Sequence, residues 1–156
     1  LGGEGNDTID GGDGVNTVTN TYAGNTTITP GSSFTLAQSA ALTFYIGANG
    51  TSNSVSGAGT ATFDGTFAFD VSGADKTDGN SWTIANVTGG QSFAGSFGVA
   101  GFTGGSGVWT DGGGFSFDTA TGILSYAAIP EPSTVALLAG VGVLLLSLAR
   151  RRKNKI

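Results

Sequence analysis

Hydrophobic and polar residues alternate along most of the chain, with the period of two that is typical of strands with one buried face. Leu42, Phe44 and Ile46, for example, would share one face of a strand. Gly, Asn and Asp separate the alternating segments, as at 78–80, and these residue types favour turns. No segment before Val135 has the 3.6-residue period of an amphipathic helix. The pattern predicts an all-β fold upstream of this position.

One longer alternating run carries both aromatic and acidic residues. Phe63, Phe67 and Phe69 would line one face of a single strand, with Asp64 and Asp70 on the opposite face. At the rise of a strand, the two carboxylates would be about 20 Å apart. A glycosidase needs its two carboxyl groups within about 5 to 10 Å of each other. We therefore predict that this pair is not catalytic.

The amino-acid composition favours an ordered fold and excludes several classes of catalytic site. The chain has 29 glycines but also ten Phe and two Trp, which favour an ordered β core over a disordered linker. We expect Trp82 in that core and Trp109 packed at an edge. Histidine and cysteine are absent, which removes the commonest general base and the thiol nucleophile. We predict that the chain is not an enzyme.

Methionine is also absent, so we expect a fragment of a longer protein, and an upstream catalytic domain stays open.

Charge is distributed unevenly along the chain, whose net charge is −5. Five of the six basic residues lie in the last seven positions, and the sixth is Lys76. All eleven acidic residues lie upstream of this basic cluster. An acidic surface repels phosphate backbones, so we predict no nucleic-acid partner.

An uncharged, apolar segment of 15 residues, 135–149, precedes the basic cluster. It is shorter than the roughly 20 residues that cross the hydrocarbon core upright, but Ser133, Thr134 and snorkelling arginines extend its reach. We predict a transmembrane helix over 134–149, with a buried core helix as the alternative. By the positive-inside rule, the basic residues keep the C-terminal end cytoplasmic. These residues are Arg150, Arg151, Arg152 and Lys153.

A Pro-Glu-Pro sequence, Pro130-Glu131-Pro132, follows Ile129 and precedes the apolar segment. Its prolines favour an extended, accessible linker. In this order, the motif, the apolar segment and the basic end resemble the PEP-CTERM sorting signal over roughly the last 28 residues. The resemblance implies a Gram-negative envelope protein that spans the inner membrane transiently. An exosortase-type membrane protease would then recognise Pro130, Glu131 and Pro132, and the product would join the surface and its exopolysaccharide.

Two nine-residue units occupy residues 2–19, GGEGNDTID and GGDGVNTVT. They resemble the calcium-binding nonapeptides of RTX proteins, which form a parallel β-roll. This resemblance makes calcium the one candidate cofactor, with oxygen ligands from Asp7, Asp10, Asp13 and Asn16. A glycine-rich turn region that binds no metal stays open as the alternative.

The stretch from 20 to 42 resembles one autotransporter-associated β-strand repeat, through Asn20-Thr21-Tyr22, Gly24 and Thr26-Thr27-Ile28. Such repeats build parallel β-helices. We therefore expect a right-handed parallel β-helix or β-roll with a β-rich, antiparallel cap, followed by the single C-terminal helix. A β-sandwich plus that helix is the competing architecture.

These predictions divide the chain into nonapeptide repeats (1–19), a β-rich exported region (20–128) and a sorting signal (129–156). The signal itself comprises a motif (129–133), a transmembrane helix (134–149) and a basic tail (150–156). We expect an exported surface protein with a structural or adhesive role, for example in a biofilm matrix. The alternative is the C-terminal spacer and sorting module of a larger secreted carbohydrate-active enzyme.

Overall fold

The computed structural model describes residues 7–9, 15–18, 24–105 and 107–129, with side chains in the last two ranges. All regular structure in these residues is β, and they contain no helix, which confirms the predicted all-β class. The strands, in chain order, are β1 (Asp7–Ile9), β2 (Val15–Val18), β3 (Thr26–Ile28), β4 (Ser33–Leu36), β5 (Ala41–Tyr45), β6 (Val55–Gly57), β7 (Thr60–Phe63), β8 (Thr66–Asp70), β9 (Ser81–Thr83), β10 (Ala85–Val87), β11 (Gln91–Phe93), β12 (Gly98–Val99), β13 (Thr103–Gly105), β14 (Val108–Thr110), β15 (Phe115–Asp118) and β16 (Ile123–Tyr126).

Three parallel sheets form most of the described structure. Their spatial orders are β1-β3-β6-β10, β11-β7-β4-β2 and β12-β8-β5. Three complete passages of the chain each add one strand to each sheet in turn, β3, β4 and β5, then β6, β7 and β8, then β10, β11 and β12, and β1 and β2 precede them in the first two sheets. We call each passage a layer. The layers are in register, because Thr26 pairs with Val55 and Val55 pairs with Ala85.

An antiparallel sheet lies at the C-terminal side of these layers, with the order β13-β14-β15-β16-β9. We call it the cap sheet. It contacts the last layer through the carbonyl oxygen of Gly122, which accepts hydrogen bonds from the amides of Ile84 (2.9 Å) and Ala85 (3.1 Å). It also packs Phe117 against Phe67, with 5.7 Å between ring centroids. The cap sheet therefore shares one core with the parallel layers.

Alternating side chains fill that core. In β4, β7 and β15 every second residue is buried, and these residues include Phe34, Leu36, Phe63 and Phe117. Trp82 in β9 is 1% exposed, as predicted, and its indole nitrogen donates to the carbonyl oxygen of Ala48 at 2.8 Å. The period-two pattern thus identifies the inward face of each strand correctly.

The run with Phe63, Asp64, Phe67 and Asp70 is not one strand, and the prediction of a single strand was wrong. The chain turns between β7 and β8, at Asp64 and Gly65, and the two strands lie in different sheets. Gly65 allows this turn, because a Cβ there would overlap the carbonyl oxygens of the preceding layer. Phe67 follows Phe63 at an even offset in sequence, so both still point inward and the alternation hides the corner.

The outer edge of β5 is covered by a side chain. Among the described strands, β5 pairs only with β8, and the amide of Ile46 donates to Asp70 on that side. Thr43 and Tyr45 therefore direct their backbone groups to the opposite edge. There Asn53 accepts from the Tyr45 amide at 2.6 Å and donates to the Thr43 carbonyl oxygen at 3.0 Å. Its amide thus occupies the place of a neighbouring strand.

Asn53→Ala is expected to lower the free energy of unfolding by about 1.5 kcal/mol, because two backbone groups of β5 lose their partner. Asn53→Asp keeps the Oδ1 acceptor for Tyr45 but places a carboxylate oxygen against the Thr43 carbonyl oxygen, so we expect a loss at least as large. Urea unfolding of the full chain in detergent micelles, followed by tryptophan fluorescence, measures both. An alanine variant as stable as the wild type would show that the edge does not depend on Asn53.

Candidate functional site

The chain leaves the folded body at the end of β16. The Tyr126 amide donates to the carbonyl oxygen of Asn80 at 2.8 Å, and the Gly79 amide donates back to the Tyr126 carbonyl oxygen at 3.0 Å. On the other side, the Ala127 amide donates to the carbonyl oxygen of Gly114 at 2.9 Å. We call Tyr126–Ile129 the exit segment. Its last residue, Ile129, is 56% exposed.

One side chain from a distant turn also holds the exit segment. The Ala128 amide donates to Oδ1 of Asp78 at 2.9 Å, across 50 residues of sequence. We call this contact the Asp78–Ala128 clasp. Ala128 lies two residues before Pro130. The clasp therefore fixes the backbone at the junction between the cap sheet and the Pro-Glu-Pro sequence.

Internal hydrogen bonds shape the turn that carries Asp78. The buried Asn80 donates from Nδ2 to the Asp75 carbonyl oxygen at 2.9 Å, and its amide donates to the Thr77 carbonyl oxygen at 3.1 Å. The Thr77 hydroxyl donates to the Asp75 carboxylate at 2.7 Å and lowers the pKa of Asp75 below its usual value. These contacts give Asp78 a defined position beside the exit segment.

The candidate metal ligands are only partly within the described residues. Asp7 lies in β1 opposite Thr26, and Asn16 lies in β2 opposite Phe34, so the two belong to different parallel sheets. Asp10 and Asp13 lie outside the described residues. The part of the chain that the structure describes contains no group of three or more Asp, Glu, His or Cys residues that could hold a metal ion. Calcium binding stays a prediction.

Asp64 and Asp70, which were considered as a possible catalytic pair, each accept a hydrogen bond where a strand ends. Asp64 lies at the corner after β7 and accepts a hydrogen bond from the Ser96 hydroxyl. Asp70 ends β8 and accepts from the Ser72 amide at 3.0 Å. Hydrogen bonds from Ser72 lower the pKa of Asp70. Each carboxylate thus has a hydrogen-bond partner within the fold.

The predicted sorting residues lie beyond the described part of the chain. This applies to Pro130, Glu131 and Pro132, to the predicted helix at 134–149, and to the basic tail from Arg150 to Lys153. Within the described ranges, no helix has the length and apolar character needed to cross a membrane.

Comparison with known families identifies the segment that begins at the clasp residue Ala128. Residues 128–153 match the PEP-CTERM protein-sorting motif. The match begins at Ala128 and extends through Lys153, so the PEP-CTERM prediction is confirmed. This motif implies export and processing by exosortase, a membrane protein. The RTX-like and autotransporter-like resemblances are not shown by the comparisons and stay predictions. No curated protein and no solved structure matches the chain.

Sequence reasoning found the PEP-CTERM motif but missed the clasp. Asp78 stands in an Asp-Gly-Asn sequence, where Asp is common for backbone reasons alone. Ala128 has no side-chain chemistry that could mark it. Only the pairing of β16 with β9 brings the two residues together.

Proposed function

We propose that this is an exported surface protein of a Gram-negative envelope, in which a β scaffold is delivered by its PEP-CTERM segment to exosortase. The match of residues 128–153 to the sorting motif carries the proposal. The exit segment supports it, because the motif begins where the chain leaves the cap sheet. A membrane protease would meet Pro130, Glu131 and Pro132 at the edge of a folded body. The basic residues from Arg150 onward would hold the cytoplasmic end before processing.

We propose that the parallel layers belong to a right-handed β-helix. Two observations support it over a β-sandwich. Successive layers stack in parallel register, whereas a sandwich packs two sheets that are mostly antiparallel. The three parallel sheets also receive their strands in the same order in each complete layer. Crossovers between parallel strands of one sheet are almost always right-handed, which gives the hand.

An adhesive or matrix role fits the outward face of the scaffold. Thr35, Thr62 and Ser92 are in register on adjacent strands, and Thr62 and Ser92 are exposed. The hydroxyl oxygens of Ser92 and Thr62 are 3.3 Å apart. Rows of uncharged hydroxyl groups offer both donors and acceptors, which suits contact with a neutral polysaccharide. We propose exopolysaccharide as the surrounding matrix on this basis.

The absence of enzymatic activity stays a prediction, as does the alternative that the chain is the sorting module of a larger carbohydrate-active enzyme. The upstream gene sequence separates the two. Further β layers favour the scaffold, and a domain with paired carboxylates favours the enzyme.

The sorting proposal predicts that replacing Pro130 and Pro132 by alanine in the native host abolishes processing. The uncut chain should accumulate in the membrane, because the recognition element and its extended backbone are lost. Intact-mass analysis of membrane and surface fractions measures this. Pro30→Ala is the matched control, since Pro30 is exposed in a turn far from the motif and should leave processing unchanged. An uncut wild-type chain found only in the membrane would overturn the proposal and leave a simple anchor.

A further inference from the structure

Among the hydrogen bonds that hold the exit segment, the Asp78–Ala128 clasp is the one nearest to the Pro-Glu-Pro sequence. It joins a side-chain carboxylate of an exposed turn to a backbone amide, whereas Tyr126 and Ala127 are held by backbone carbonyl groups. Of the hydrogen bonds that hold Tyr126, Ala127 and Ala128, it is therefore the one that a side-chain substitution can remove. Both Asp78 and Ala128 are exposed, so water and a second protein can reach the contact.

A protease that takes an extended substrate pairs with the main-chain donors and acceptors of the residues around the cleaved bond. Ala128 lies two residues before Pro130, within the span that such a cleft would cover. Its amide already donates to Asp78 at 2.9 Å. The clasp and the protease cleft therefore compete for the same N–H group. Cleavage then depends on the fraction of molecules in which the exit segment has opened.

We propose that Asp78 is a positioning residue that restrains processing at the PEP-CTERM motif by holding Ala128 against the cap sheet. This inference rests on the proposed function, because it requires that the motif is cut. It assigns Asp78 no part in the cleavage chemistry. The residue sets how readily the exit segment enters the protease, and so how long the uncut protein stays at the membrane.

The test is pulse-chase processing of the full chain in its host, with three variants. Asp78→Ala removes the acceptor and should speed cleavage about fivefold, as expected for the loss of one net hydrogen bond. Asp78→Asn keeps an Oδ1 acceptor and should be cut at close to the wild-type rate. Asp118→Ala is the matched control, because Asp118 accepts from Ala120 at 2.8 Å in its own turn of the cap sheet. It should also be cut at the wild-type rate.

Cleavage of Asp78→Ala at the wild-type rate would overturn the clasp, as would equal acceleration in Asp78→Ala and Asp118→Ala. A second measurement separates this failure from failure of the sorting proposal. Purified full-length chain in detergent is digested with elastase, which cuts after small residues, and cleavage at 127–129 is followed by mass. Faster cutting in Asp78→Ala alone supports the clasp even if the host leaves every variant uncut. Equal rates of cutting in wild type and Asp78→Ala refute it.

Discussion

Phe67→Ala is expected to lower the free energy of unfolding by about 4 kcal/mol, because it empties the centre of the aromatic core. Phe67 in β8 is 0% exposed. Its ring contacts Phe44 in the preceding layer (4.8 Å between centroids) and Phe97 before β12 (5.0 Å). It also contacts Phe63 at the corner (5.0 Å) and Phe117 of the cap sheet (5.7 Å). Truncation thus removes packing between layers and between the layers and the cap.

Two variants control this prediction. Phe67→Leu keeps much of the volume and should cost about 1.5 kcal/mol or less. Tyr45→Ala truncates an aromatic residue that is 50% exposed, and it should change stability by no more than about 0.5 kcal/mol. Urea unfolding of the full chain in detergent, followed by tryptophan fluorescence, compares all three. If Phe67→Ala behaved like Tyr45→Ala, the cap sheet and the layers would not share a core.

The alternation of residues was enough to predict the class and the inward side chains, because period two is a local property of each strand. Phe34, Phe63, Trp82 and Phe117 are buried as that pattern requires. The corners were not predictable in the same way. At Asp64 the chain turns into another sheet while the in-out alternation continues, so the alternation alone does not separate β7 from β8. The Asp64-Gly65 dipeptide is a turn signal, but the continuous alternation around it favoured a single strand.

The candidate site likewise has one part that a contiguous sequence segment reveals and one part that only the fold reveals. The PEP-CTERM motif is a contiguous sequence, and the residues themselves carry the resemblance. The clasp joins Asp78 to Ala128, and the β5 edge joins Asn53 to Thr43 and Tyr45. The clasp depends on the order of strands in the cap sheet, which no nearby residue pattern encodes. The Asn53 contacts instead lie across one loop that the antiparallel Ile46–Ser52 bridge closes.

The layers also stack closely enough that glycine is required where one backbone crosses another. Gly65→Ala is expected to destabilise the protein by about 3 kcal/mol, at the upper end of overpacking effects. Its Cβ would overlap the carbonyl oxygens of Ala37 and Ala40 in the preceding layer, and it would lie 2.9 Å from Cγ of Leu36. Backbone atoms held in two sheets cannot shift as a side chain would, so the strain stays in the folded state.

The chain offers a matched control one layer further on. Phe93 pairs with Phe63, which makes Gly95 the counterpart of Gly65, and no atom lies within 4 Å of the position of its Cβ. Neither glycine has a positive φ, so the two differ in space and not in backbone strain. Gly95→Ala should be neutral or stabilise by about 0.5 kcal/mol, because alanine restricts the unfolded chain. The urea concentrations at the unfolding midpoints of Gly65→Ala and Gly95→Ala test this prediction. Equal midpoints would contradict the close stacking of the layers, whereas a loss confined to Gly65→Ala would support the stacked arrangement that the proposed β-helix requires.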